Sequence, residues 1–157
     1  MQSIVDMPDS PEEQPDLWFS FIRAHRLMLR EIERRLKAQG LPVYAWYDVL
    51  WGIESGIDGT RRMHELADAL AIERYNLTRI VDRLVEDGLV KRYRSPEDRR
   101  AAYATITEKG RALRKRMWSI YEQTVAELFT SQFNTDEQLR FSQRLDTASR
   151  AARKAGL

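Results

Sequence analysis

A mainly α-helical fold with a small β wing is the architecture that these 157 residues predict, on three observations. Apolar residues recur at three- and four-residue spacing through most of the chain, the period of a helix with one buried side. Only 7 Gly and 5 Pro leave little room for loops. Between residues 89 and 107 the helical period gives way to a short basic strand, a charged turn with a proline, and a second strand starting near Ala101.

Residues 1–15 hold three Pro among mostly acidic or small residues and predict a flexible tail. Asp16 then opens a long helix. Leu17, Phe21, Ala24, Met28, Leu29, Ile32 and Leu36 form its apolar side, Arg23, Arg30, Glu33, Arg34 and Lys37 fill the other, and Gly40 and Pro42 end it. A second helix, from about Val43 to Ser55, is aromatic: Tyr44, Trp46, Tyr47 and Trp51 accompany a core face of Val49, Leu50 and Ile53. Most such rings are core; the other reading is a pocket for an aromatic small molecule.

Gly56 and Gly59 flank Asp58 in a turn, after which Thr60 to Met63 could add a very short strand. HELADALAI at 64–72 is a short helix with small residues that permit close packing, as the first helix of a helix-turn-helix requires. The next helix is stopped by Gly88 and packs through Leu77, Ile80, Val81 and Leu84, which turns Arg74, Asn76, Arg79 and Arg83 outward. The strand Leu89 to Arg94 and its partner complete a basic hairpin. Beyond it, Thr107-Glu108-Lys109-Gly110 starts a long helix that Asn134 and Thr135 are expected to break. Thr135-Asp136-Glu137-Gln138 reads as a capping box for a last helix to about Lys154, with Leu139, Leu145, Ala148 and Ala152 on one side.

The layout is thus six helices with a two-stranded wing between the fourth and fifth. It divides into a tail (1–15), N-terminal helices for dimerisation and a possible ligand pocket (16–56), a winged helix-turn-helix (57–107) and C-terminal dimerisation helices (108–157). Arg is bidentate to guanine and Asn to adenine in the major groove, so an outward Arg/Asn helix beside a basic hairpin points to double-stranded DNA. The formal net charge is only +2, yet residues 60–116 carry 15 Lys/Arg against 9 Asp/Glu, net +6. Positive charge is therefore gathered where phosphate contact needs it. Long terminal helices too apolar to stand in water call for a second copy, and a two-fold dimer implies a pseudo-palindromic operator with recognition helices about 34 Å apart.

With no Cys, disulfide frameworks, thiolate metal sites and thiol redox sensing are excluded. The absence of a basic, apolar leader and of any membrane-spanning apolar run predicts a cytoplasmic protein with no membrane partner. His25 and His64 sit on different helices, without a nucleophile and base in register, so neither an enzyme nor a metal or cofactor site is expected. Trp18, Phe21 and His25, one turn apart, together with Tyr44, Tyr47 and Trp51, could line one cavity for an aromatic carboxylate or phenol, with His25 or a Tyr hydroxyl at its polar end.

The runs RMHELADAL (62–70), LTRIVDRLVEDGLVKR (77–92) and PEDRRAAYATIT (96–107), with EKGR directly after, resemble the MarR family of winged helix-turn-helix regulators over about residues 16–155. The resemblance implies a homodimeric repressor whose terminal helices interlock and which a small phenolic or aromatic ligand releases from DNA. Carried over by position, it assigns base and phosphate contacts to Tyr75, Asn76, Thr78 and Arg79. It places Arg100 in the minor groove, oriented by a salt bridge from Asp98. Glu73 and Tyr75 depart from the smaller residues common there, so the operator cannot be carried over from relatives. Two alternatives stay open: a DNA-binding regulator without a small-molecule ligand, and a metal-responsive one.

Overall fold

Asp16 accepts the Phe19 amide at 3.0 Å and starts the first helix, α1 (Leu17–Ala38), in a computed structural model that describes residues 16–156. The tail expected at 1–15 lies outside the described residues. Gly40, at φ +69°, reverses the chain into α2 (Tyr44–Glu54). Strand β1 (Thr60–Arg62) leads without a loop into α3 (Met63–Leu70), and Ala71, left-handed at φ +53°, makes the tight turn into α4 (Arg74–Glu86). Then come β2 (Val90–Arg94), β3 (Ala102–Ile106), α5 (Glu108–Leu128) and α6 (Thr135–Ala155).

The very short strand expected after the Gly56–Gly59 turn forms as β1 and joins the hairpin in a three-stranded sheet of order β1-β3-β2: Thr60 pairs with Thr105 and Arg62 with Tyr103, and the Thr60 and Thr105 hydroxyls bond at 2.8 Å. Two expectations are corrected. Helix α5 stops at Leu128, short of Asn134, with a 3-10 turn at Thr130–Gln132. The Ser131 hydroxyl donates to the Glu127 carbonyl at 2.7 Å, and Phe133 sets its edge against Phe129 and Phe141, so local bonds and rings replace the next helical turn. The capping box of α6 begins one residue earlier than read. Asn134 accepts the Glu137 amide at 2.9 Å and Glu137 accepts the Asn134 amide at 3.2 Å.

Two cores form. Val49, Leu50 and Ile53 of α2 pack on Leu66, Leu77, Val81 and Leu84 and on the base of the hairpin through Val90, Ala104 and Ile106. Ile32, Leu36, Tyr47 and Met117 bind α1, α2 and α5 together. The EKGR motif joins the hairpin to α5. Thr107 donates its hydroxyl to the Gly88 carbonyl (2.7 Å) and accepts the Gly110 amide (3.1 Å), while Lys109 Nζ donates to the Asp87 carbonyl (2.7 Å) at the end of α4. Gly110 is required because a Cβ there would stand 2.2 Å from the Leu89 carbonyl oxygen.

No described residue of α6 is buried, and Leu139, Phe141 and Leu145 are 57, 44 and 40% exposed. Its far end returns to the body through Arg153, whose Nη2 donates to the Asp68 carbonyl of α3 at 2.7 Å.

Candidate nucleic-acid interface

Helix α4 is held from below by Leu77, Val81 and Leu84, each at most 1% exposed, so its other face is fixed outward. Arg74, Tyr75, Asn76, Thr78, Arg79 and Arg83 are all exposed there. The Arg79 guanidinium lies over the Tyr75 ring, 5.8 Å from its centre. Thr78 turns its hydroxyl back to the Arg74 carbonyl at 2.9 Å. Glu73 occupies the N-cap without a side-chain bond to the helix, so its carboxylate complements the helix dipole by charge alone. Asp82 pairs with Arg92 of β2 at 2.5 Å and fixes the hairpin against the helix.

In the hairpin, Tyr93 and Tyr103 stack across the ladder with centres 5.5 Å apart. At the turn, Ser95 donates its amide to the Ala101 carbonyl, and Arg94 Nη1 donates to the Arg99 carbonyl at 2.8 Å. The expected salt bridge from Asp98 to Arg100 is absent among the described residues. Asp98 Oδ1 instead accepts the Arg100 backbone amide at 3.0 Å, and Oδ2 faces Arg62 Nη2 at 4.0 Å. A carboxylate two residues before an amide closes a local turn more readily than it reaches its neighbour's side chain. Asp98 thus shapes the turn, and the guanidinium of the exposed Arg100 has no partner among the described residues. Reasoning from sequence missed Arg62, which reaches the wing from β1, and Arg94, which braces the turn; only the strand pairing reveals either.

The rings expected to line one cavity fall into separate groups. Trp18, Phe21 and His25 form a ladder along α1, with neighbouring centres 6.2 and 6.4 Å apart. Tyr44 and Tyr47 pack instead on Tyr121 of α5, at 5.3 and 5.1 Å, with Trp118 beside Tyr47 at 5.9 Å. Burial holds the Tyr44 phenol well above the usual range and pushes Tyr47 up to about 12. Trp51 is 49% exposed, and among the described residues no ring pairing joins it to either group. The contacts of α5 draw the two tyrosines inward, away from the α1 ladder. Two clefts of about 260 Å³ lie elsewhere, one between α1 and α5 beside Arg35 and Gln123, the other around Trp46, Leu113 and Arg116.

At the end of α2, Glu54 receives Arg114 Nε at 2.5 Å and Nη2 at 3.2 Å, and Arg111 Nη1 at 3.2 Å. The Arg114 hydrogen bond holds the Glu54 carboxyl below its ordinary value. This lock fixes the direction in which α5 leaves the hairpin.

An outward Arg/Asn helix entered through a tight turn, with a braced basic hairpin at its side, defines a winged helix-turn-helix protein. A family model described as the MarR family matches residues 39–101. The HTH-type transcriptional repressor IacR of Pseudomonas putida is 34% identical over 122 residues, 78% of this chain and 68% of the relative. Among solved structures, Sco3205 of Streptomyces coelicolor, a MarR family transcriptional regulator in complex with DNA, superposes with TM-score 0.81 at 24% identity, covering 87% of this chain and 88% of that one. BpsR of Bordetella bronchiseptica, described in regard to regulation of its DNA binding by 6-hydroxynicotinic acid, gives 0.73 at 22%, covering 85% and 98%. The chain belongs to the MarR family of transcriptional regulators.

Proposed function

We propose that two copies of this chain bind a pseudo-palindromic operator duplex, repress transcription in the cytoplasm, and release the DNA when a small ring-bearing ligand binds. The carrying observation is that Arg74, Arg79, Arg83 and Arg100 stand exposed on one helix and the adjoining wing with no carboxylate partner among the described residues. Two nearby cations differ, Arg92 facing Asp82 and Arg62 facing Asp98. Arg74, Tyr75, Asn76, Thr78 and Arg79 would enter the major groove and Arg100 the minor groove, with Arg83 on phosphate.

The dimer reading rests on apolar side chains left outside both cores. Leu17 and Trp18 on α1 are 74 and 63% exposed, and α6 buries none of its described residues. Partner helices of the same kind would cover them. On this reading 57–107 grips DNA, while 16–56 and the helices after 108 join the protomers. A ligand lodged beside α2 would act by changing the angle at which α5 holds the DNA lobe.

Selection of bound duplexes from random DNA, repeated with candidate ligands, tests the reading. Recovery of a two-fold symmetric site is expected. A protein that is monomeric and indifferent to every duplex at low ionic strength would refute it.

A further inference from the structure

Tyr44, Asp48 and Trp51 follow one another at four- and three-residue spacing and so share one face of α2. Asp48 is half-buried, and among the described residues no cation or hydrogen-bond donor meets its carboxylate. Burial alone raises its pKa, with no compensating partner. A partly desolvated carboxylate without a partner is unfavourable in the unliganded protein and asks for a counter-ion.

Arg111 and Arg114 of α5 do not supply it, because both are committed to Glu54. In the register of the helix Tyr44 lies one turn before Asp48 and Trp51 one turn after it. Tyr44 is backed by Tyr121 at 5.3 Å, and Trp51 is 49% exposed with no ring against it. Ring faces carry negative potential, so a carboxylate between two of them attracts positive charge and repels an acid.

Resting on the ligand-release reading above, we propose that this face of α2 takes an organic cation, an aromatic amine or amidine, with Asp48 as its counter-ion and Tyr44 and Trp51 as its walls. This departs from the aromatic carboxylate expected from the sequence.

The test titrates the full chain calorimetrically with phenethylamine, 2-phenylethanol and 3-phenylpropionate, which share a ring and differ in head-group charge. The amine should bind at least about ten-fold more tightly than the acid, Asp48→Asn should abolish that preference, and Trp51→Leu should weaken amine binding while leaving the preference in place. Asp48→Asn removes a desolvated charge and Trp51 is half exposed, so both variants should fold, as a melting curve on each verifies.

Amine binding weaker than about 10 mM, amine binding unchanged in Asp48→Asn, or a preference for the acid overturns the proposal. Anisotropy of a labelled operator, measured on the same samples, separates the two readings. Asp48-dependent amine binding that leaves operator affinity unmoved upholds the cation site and refutes ligand release. Release by 3-phenylpropionate alone upholds ligand release and overturns the cation site.

Discussion

Replacing Glu54 by Gln should weaken the junction on which the direction of α5 depends. The carboxylate takes three hydrogen bonds from two arginines, and its side chain and that of Arg114 are each 16% exposed. Without it Arg114 keeps its charge in a poorly hydrated position, whereas Arg111, 34% exposed, can turn to water. Removing one member of a buried pair typically costs 3–5 kcal/mol, and the partial solvent access places this site at the lower end, about 3 kcal/mol. For a domain of this size that lowers Tm by roughly 6–12 °C. The assay is thermal and urea unfolding from pH 7 down to 3. The Glu54 carboxyl is held below its ordinary 4.5 in the folded state, so its stabilisation is complete above that value and lost as pH falls through the folded pKa. The variant should therefore melt lower at pH 7 and show a flatter acid limb. A Tm within about 2 °C of the parent, or an unchanged acid limb, would refute the reasoning.

Other outcomes follow from the same geometry. Arg79→Ala and Arg100→Ala should each weaken operator binding by about 1–3 kcal/mol and reduce the dependence of log K on log salt, measured by anisotropy across a salt series; parental affinity in both would remove the helix and wing from the interface. Gly110→Ala drives a Cβ into the Leu89 carbonyl and should destabilise by about 1–3 kcal/mol in urea unfolding, while a neutral result would mean that α5 can move off the hairpin. Leu139→Glu with Leu145→Glu places charge on the exposed apolar side of α6 and should yield monomers by light scattering with far-UV helicity retained. Acidification should loosen the attachment of α1 to α5, because the hydrogen bond from Arg35, 2.9 Å away, holds the Glu127 carboxyl below its ordinary 4.5 and the pair is lost as pH falls through the folded pKa; hydrogen exchange at α1 should rise below about pH 4.5 and respond less in Glu127→Gln.

Several elements were legible in the residues alone because their causes are local. The periods of α1, α4 and α5, the Asp16 cap, the stop at Gly88 and the outward turn of Arg74 to Arg83 depend on neighbours three or four positions away. The excess of positive charge over residues 60–116 needs only counting. Even the misplaced start of the α6 capping box is a one-residue error within a local motif.

What the chain alone could not decide lies between distant residues. Asp98 had a plausible partner two positions on, yet its carboxylate closes the turn and meets Arg62, which the β1–β3 pairing brings over. The aromatic run of α2 read either as core or as a pocket wall; packing by α5 sorted it, placing Tyr47 inside and Trp51 outside, and left Asp48 half-buried with no counter-ion among the described residues. Periodicity says which residues share a face. Which face meets which neighbour, and so which charges find partners, is decided only when the elements pack, because that energy belongs to pairs that the sequence does not place side by side.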